Sequence, residues 1–312
     1  MDRRNFATQL AAAVSGVALS GCATSAATGP AGRPTFVFVH GAWHGGWCWS
    51  EVVRLLAEQG YSSVALDLPG HGATARFPVS YTHKPQNAAA LVTEVSPLAA
   101  ISRNDYRDHT LKAIRGLVAA GSGPVILVGH SLGGATVSAV AEADPSVLRR
   151  MVFLTAGVPV AFPSALELMQ QPENAASEIS SLLVGDPAAV AALRLNPDSA
   201  DAAYVAKVKS CFYHDVSDAA FTAIANLLTP DEPISGFASP VNVTAARWGA
   251  VPRAFIRCTP DRAITVGAQD RWIAQADALM PTNRFLQRSL PTSHSPFFSA
   301  PADLVSALVS LT

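Results

Sequence analysis

The sequence has little charge, and its charges are balanced. Only 14% of the 312 residues are charged, and 22 basic side chains are offset by 23 acidic ones, so the formal net charge is -1. Such a chain has no excess of positive charge that would attract a phosphate backbone. Hydrophobic residues make up 49% of the sequence, enough for a sizeable core. We therefore expect a globular domain and no nucleic-acid partner.

Long apolar runs and a disulfide framework are also missing. No stretch reaches the roughly 18 consecutive apolar residues expected of a membrane-spanning helix. The only cysteines are Cys22, Cys48, Cys211 and Cys258. If Cys22 is lipidated, an odd number is left, so the sequence indicates no disulfide network, although a single bridge stays open.

Residues 1–22 have the composition of an export signal. Arg3 and Arg4 precede an Ala-rich apolar run, and small residues follow around Gly21. The basic pair resembles the twin-arginine signal of bacterial proteins that are exported already folded. We therefore predict export by the twin-arginine route and exclude this segment from the fold.

Cys22 directly follows Leu19, Ser20 and Gly21 in a pattern that resembles a lipobox. In a lipoprotein this cysteine is lipidated and becomes the first residue of the mature chain. Residues 23–33 are small, polar and rich in Gly and Pro, which predicts a flexible tether. We expect a bacterial lipoprotein of the periplasm or cell surface, with membrane contact only through Cys22. The alternative is an ordinary cleaved signal and a soluble secreted protein.

Short apolar runs recur along the rest of the chain, separated by helical patterns. They cover residues 35–39, 63–66, 125–128, 151–154 and 254–258, with a weaker sixth at 284–290. Several are apolar at consecutive positions, as parallel strands buried on both faces must be. Strands that alternate with helices predict an α/β fold with a mostly parallel sheet of about six strands flanked by helices.

Two stretches interrupt this alternation. Residues 157–248 are long, Ala-rich and broken by prolines, and they lie between two predicted strands, so we predict an inserted, mostly helical cap. Residues 73–98 contain three prolines and are expected to form an irregular loop. We expect residues 34–312 to form one domain that includes both.

Ser131 is the candidate nucleophile. It lies at the centre of Gly129-His130-Ser131-Leu132-Gly133, which follows a predicted buried strand and precedes a predicted helix. A Gly-x-Ser-x-Gly sequence in this context is typical of the sharp strand-to-helix turn that exposes the nucleophilic serine of an α/β-hydrolase fold. We therefore predict that fold, with Ser131 at the carboxyl end of the sheet.

A serine hydroxyl needs a general base, and His294 is the candidate. In this fold the chain order is serine, then acid, then histidine, so the base must follow the last strand. Of the eight histidines only His294 does so. His214 comes after the serine too, but it falls within the predicted cap, before the strand that should deliver the acid.

Asp261 is the candidate for the acid that orients the base. It follows the predicted strand at residues 254–258 by three positions, in a turn. A carboxylate there would hold one tautomer of the imidazole and stabilise the imidazolium as it forms. Asp231 and Asp270 are the alternatives, because a turn aspartate is often only a turn former.

The tetrahedral intermediate of such a reaction needs hydrogen-bond donors for its oxyanion. We predict the backbone N–H groups of Leu132, directly after the nucleophile, and of Ala42, in the loop after the first strand. Gly41 would let that backbone approach the substrate closely. Trp43 and Phe297, which flank the motifs, are candidates for an apolar substrate pocket. No metal and no cofactor are expected.

Taken together, the motifs resemble those of the plant methylesterase and hydroxynitrile lyase family and its bacterial esterase relatives. The resemblance rests on residues 40–49, His-Gly-Ala-Trp-His-Gly-Gly-Trp-Cys-Trp, and on residues 129–134, Gly-His-Ser-Leu-Gly-Gly. It covers nearly the whole predicted mature chain and implies the same triad and oxyanion donors. Relatives mostly lack residues 73–98, so the resemblance does not carry over a substrate preference.

The family contains two chemistries, and two positions distinguish them. Similar lyases have threonine after the first histidine of the oxyanion loop and lysine after the catalytic histidine. Here these positions are Gly41 and Ser295. Without a cation beside the base, a leaving cyanide would lack a stabilising charge, so the resemblance favours hydrolysis over lyase activity.

We therefore expect a carboxylesterase that cleaves small to medium, apolar or aromatic esters through an acyl-enzyme. Lactones, amides and carbamates remain open as substrates. A hydroxynitrile lyase is one alternative function, and a ligand-binding receptor that uses the same fold without turnover is another.

Overall fold

The computed structural model describes residues 32–312, and six of their strands form one parallel sheet. The strands are β1 (Phe36–Val39), β2 (Ser63–Leu66), β3 (Val125–His130), β4 (Leu148–Leu154), β5 (Ala192–Arg194), β6 (Asp231–Pro233), β7 (Arg253–Cys258) and β8 (Leu286–Leu290). The sheet has the order β2-β1-β3-β4-β7-β8, and each neighbouring pair is parallel. The prediction of a mostly parallel sheet of about six strands is confirmed.

Helices fill the connections between the strands. They are α1 (Ser50–Glu58), α2 (Val79–Thr82), α3 (Ala88–Leu91), α4 (Arg103–Leu117), α5 (Gly133–Ala143), α6 (Ala165–Met169), α7 (Pro187–Val190), α8 (Ala202–Tyr213), α9 (Asp218–Ala225), α10 (Ile234–Ala238), α11 (Val266–Leu279), α12 (Pro296–Ser299) and α13 (Pro301–Val309). Ser102 begins α4 with a reciprocal capping box: its hydroxyl accepts from Asp105 N–H, and the Asp105 carboxylate accepts from Ser102 N–H.

The sheet is covered on both faces, which explains its consecutive apolar residues. Phe36 and Phe38 of β1 lie in an apolar layer with residues of α1 and α13. Val37 and Val39 lie in the opposite layer, with residues of α4 and α5. Because successive side chains of a strand point to opposite faces, every position of β1 is buried.

The segment between β4 and β7 contains α6 to α10 and the short strands β5 and β6. These two strands pair with each other antiparallel, apart from the main sheet, and a buried ion pair joins Arg194 to Asp231 at 2.6 Å. Apolar side chains of this segment share one cluster with Ala42, Trp43 and Leu132. We call this segment, residues 157–248, the cap, because it packs over the loop that follows β1.

Residues 73–98 are more ordered than the expected irregular loop. They include the one-turn helices α2 and α3, and the side chain of Asn87 accepts a hydrogen bond from Ala90 N–H at the start of α3. Ser96 N–H donates to the carbonyl of Val190 in the cap at 2.8 Å. The segment therefore supports the cap from one side.

The predicted export signal, the lipidation of Cys22 and nearly all of the predicted tether lie outside the described residues. Within residues 32–312 no helix combines the length and the apolar character needed to cross a bilayer.

Candidate active site

Ser131 lies in the turn between β3 and α5 with a strained backbone. Its φ of +53° is in the left-handed region, which is uncommon for a residue with a side chain. The turn is crowded: a Cβ added at Gly129 would lie 2.6 Å from a methyl group of Val137. Only glycine fits there, and the tight turn leaves Ser131 partly exposed at the carboxyl end of the sheet.

The structure brings His294 and Asp261 together from two different loops. Asp261 follows β7 and His294 follows β8, and Nδ1 of the histidine lies 2.7 Å from Oδ2 of the aspartate. Both residues are buried, with 2% and 6% of their surfaces exposed. Because an ionised carboxylate only accepts, Nδ1 carries the proton and Nε2 is left as the basic atom.

The carboxylate of Asp261 accepts four hydrogen bonds. Oδ2 accepts from His294 and from the Thr155 hydroxyl at 2.5 Å, while Oδ1 accepts from Ala263 N–H at 2.7 Å and Ile264 N–H at 3.0 Å. These bonds fix the plane of the carboxylate and so the orientation of the imidazole. Thr155 was not foreseen, since nothing in the sequence distinguishes it from any other threonine after a strand.

The alternative acids have other partners. Asp231 pairs with Arg194 inside the cap, and Asp270 pairs with Arg257 near the surface at 2.6 Å. His214, the other histidine after Ser131, directly follows α8 and makes no hydrogen bond to a carboxylate among the described residues.

His130 connects the turn of Ser131 to the loop of His294. Its Nε2 lies 2.8 Å from the carbonyl oxygen of His294, and the two rings have centroids 4.5 Å apart. The residue next to Ser131 thus holds the backbone of His294 and links the two loops. Between residues 32 and 312, no direct hydrogen bond joins the side chains of Ser131 and His294; such contacts are often long without substrate.

Two backbone N–H groups are free to serve an oxyanion. Neither Ala42 N–H nor Leu132 N–H donates to a protein acceptor in the described part of the chain. Both residues line the same cavity as Ser131. Gly41 lies directly behind the nucleophile, since a Cβ added there would be 2.8 Å from Cβ of Ser131.

The cavity at Ser131 is lined almost entirely by apolar side chains. The cap lines it with Ala165, Leu168, Met169, Ile179 and Phe237. Among its lining residues Ser131 provides the only hydroxyl, and no charged side chain is present. Such a site suits an apolar molecule that presents one reactive polar group to the serine.

The predicted pocket aromatics divide into two groups. Trp43 lines the cavity. Phe297 does not, and this prediction is corrected: it is 1% exposed and packs in the core against Trp49 and edge-on to His130, with centroids 5.0 and 4.9 Å apart. Its position directly after the histidine loop turns its ring inward, where it supports His130.

No group of three or more His, Cys, Asp or Glu side chains in residues 32–312 is arranged to hold a metal ion. His40 and His44, four positions apart, are each engaged with the backbone: Nδ1 of His40 contacts the carbonyl of Gly41, and Nδ1 of His44 contacts that of Ala42, both at 2.8 Å.

The chain belongs to the alpha/beta hydrolase family, whose model matches residues 36–308. Among curated proteins it is similar to methyl jasmonate esterase 1 of Vitis vinifera, with 28% identity over 88% of this chain and 94% of that protein. It is also similar to putative methylesterase 15 of Arabidopsis thaliana, at 27% identity over 89% of this chain, but spans only 56% of that protein.

Among solved structures, a pyrethroid hydrolase from Sphingobium faniae matches with a TM-score of 0.66 and 21% identity over 89% of this chain and 96% of that one. This match supports the fold. The predicted α/β-hydrolase fold and the resemblance to plant methylesterases are confirmed.

Proposed function

We propose that this protein is a serine carboxylesterase. The observation that carries the proposal is the arrangement at the carboxyl end of the sheet. A strained, partly exposed Ser131 and the residues with the two free backbone N–H groups line one apolar cavity, and a buried His294–Asp261 pair lies in the loops after the last two strands. The similarity to methylesterases of plants supports ester bonds as the substrate class.

In the proposed reaction Ser131 Oγ attacks the ester carbonyl carbon while His294 Nε2 accepts the hydroxyl proton. The carbonyl oxygen becomes an oxyanion that accepts from Ala42 N–H and Leu132 N–H. Collapse of this intermediate breaks the bond to the alcohol, which takes the proton from His294 and leaves. Water then attacks the acyl-enzyme, giving its proton to His294, and the acid departs as Ser131 regains its hydrogen.

The lyase alternative is disfavoured by the close packing at Gly41. A side chain at this position would approach both Ser131 Cβ and His130 Nδ1 to 2.8 Å, so a threonine could be accommodated only if the nucleophile turn shifted. Ser295, which follows the base, is buried and uncharged.

We expect the size of the apolar part of the ester to control the rate. Two series of esters test the acyl part and the alcohol part of the substrate separately. One is p-nitrophenyl esters with acyl chains of increasing length, and the other is acetate esters with alcohols of increasing size. In one series kcat/KM should rise about fourfold for each added methylene until the cavity is filled, because each buried CH₂ contributes about 0.8 kcal/mol. It should then fall.

Ala165→Leu provides the matched control, because Ala165 lies on the cap and lines the cavity. In this variant kcat/KM should reach its maximum at a shorter chain than in the wild type, and the hydrolysis of acetate esters should be nearly unchanged. A flat response in both series, or a maximum only at very long chains, would contradict the assignment of the cavity. Negligible turnover with tight retention of one ligand would favour a receptor instead.

We also propose that the enzyme is an exported lipoprotein anchored at Cys22, which the composition of residues 1–22 supports. Expression of the full chain with a labelled fatty acid, in a host that processes lipoproteins, should give a labelled protein in the membrane fraction. Cys22→Ala should lose the label and become soluble, and Cys211→Ala, which removes a buried cysteine, should keep it. Unlabelled, soluble wild-type protein would refute the anchor.

A further inference from the structure

A buried histidine holds the loop that carries the oxyanion donor Ala42. Nδ1 of His44 lies 2.8 Å from the carbonyl oxygen of Ala42, and because a carbonyl only accepts, Nδ1 carries the proton. Burial lowers the pKa of His44 to about 4, so the ring is neutral near pH 7. Its Nε2 therefore has no proton and must accept a hydrogen bond.

The donor to Nε2 comes from the cap. Tyr213 is the last residue of α8, it is fully buried, and its hydroxyl lies 2.7 Å from Nε2 of His44. Burial raises the pKa of Tyr213, so the phenol keeps its proton and donates it. A continuous chain of hydrogen bonds thus runs from the cap through His44 to the carbonyl of Ala42.

This chain ends on one of the two peptide groups that meet at the Cα of Ala42, the residue whose N–H is the proposed oxyanion donor. The peptide between Gly41 and Ala42 is held by His40 Nδ1, 2.8 Å from the Gly41 carbonyl. The peptide between Ala42 and Trp43 is held by His44. Trp43 has a φ of +64°, a conformation that persists only where the surroundings enforce it. With both peptide planes held, the direction of Ala42 N–H is fixed at the cavity that this residue lines.

We infer that Tyr213 is a positioning residue for the oxyanion hole, acting through His44 on the peptide that follows Ala42. The cap then does more than cover the cavity: it completes the geometry that stabilises the transition state. This inference rests on the proposed esterase mechanism.

Tyr213→Phe removes the hydroxyl and keeps the ring that packs against Phe221 and Phe298. We expect kcat for a p-nitrophenyl ester to fall about 10- to 100-fold with KM changed less than about twofold. The upper limit equals the lower end of the roughly 10²- to 10³-fold loss seen when an oxyanion donor is removed outright. Inhibition by a trifluoromethyl ketone, whose adduct with serine carries an oxyanion, should weaken by the same factor as kcat.

Tyr204→Phe is the matched control. Tyr204 lies on the same helix, and its hydroxyl donates to the carbonyl of Leu182 inside the cap at 2.7 Å. Loss of the Tyr204 hydroxyl should lower thermal stability about as much as Tyr213→Phe does. It should leave kcat and inhibition by the ketone within about twofold of wild type. Equal effects of the two substitutions, or wild-type values in Tyr213→Phe, would overturn the inference.

His44 provides a second test that does not depend on the folding of Tyr213→Phe. In His44→Asn the side-chain amide can still donate to Ala42, whereas in His44→Leu nothing can. The asparagine variant should keep more affinity for the ketone than the leucine variant. Equal affinities would count against a role of the hydrogen bonds from Tyr213 through His44.

If wild-type activity survives in Ser131→Ala, the proposed mechanism itself fails and the inference with it. If Ser131→Ala is inactive as expected and only the Tyr213 and His44 variants differ from expectation, the mechanism stands and the positioning role of Tyr213 is wrong.

Discussion

Replacing Ser131 by alanine is expected to lower kcat for ester hydrolysis about a million-fold, as loss of the nucleophile does in a serine hydrolase of the triad type. The residual rate would come from the oxyanion donors and from substrate binding, which the substitution leaves in place. The fold should be preserved, because backbone hydrogen bonds hold the turn and the substitution leaves them in place: Ser131 N–H donates to the carbonyl of Leu154 at 3.2 Å, and the Ser131 carbonyl accepts from Gly134 N–H at 3.1 Å. Initial rates with a p-nitrophenyl ester, together with the thermal unfolding midpoint, measure both expectations.

Ser138→Ala is the control for this variant. Ser138 lies in α5, the helix that follows Ser131, and its hydroxyl donates to the carbonyl of Gly134 at 2.8 Å. Its removal should cost some stability and leave kcat within a few-fold of wild type. Full activity in Ser131→Ala would refute the proposed mechanism.

Replacing His294 by alanine is expected to have an effect of similar size, about a million-fold in kcat. Without the imidazole no group accepts the proton of Ser131, and the carboxylate of Asp261 loses the partner to which it is bonded at 2.7 Å. Labelling of Ser131 by a fluorophosphonate should slow in parallel, since it needs the same activated hydroxyl.

His214→Ala distinguishes this assignment from the alternative base. His214 has no carboxylate partner among the described residues, so its removal should leave kcat nearly unchanged. An inactive His214→Ala together with an active His294→Ala would reverse the assignment. Equal, moderate losses in both would indicate that neither histidine acts as the general base.

Local patterns in the sequence were sufficient to predict the sheet. The run at residues 63–66 coincides with β2, and the other predicted strands differ from the observed ones by three residues or fewer at either end. The start of α4 depends on local sequence as well, because Ser102 and Asp105, three positions apart, satisfy the capping-box rule. These features depend on neighbours within a few positions, or on burial of both faces.

The contacts of the cap could not be predicted in this way. Strands β5 and β6 have only three residues each, too few to show a period, and they pair across a separation set by the intervening helices. Tyr213 and His44 are 169 positions apart, and no sequence rule links a tyrosine at a helix end to a histidine in a distant loop. Phe297 was misjudged for a related reason: proximity to a motif does not determine which way a ring points.

The most direct test of the central claim is to label the wild-type protein with a fluorophosphonate and identify the modified residue by mass spectrometry of its peptides. The account expects a single adduct, on Ser131, whose formation is slowed by a good ester substrate and abolished in Ser131→Ala. An adduct on another residue, or unchanged ester hydrolysis by a protein that carries none, would contradict it.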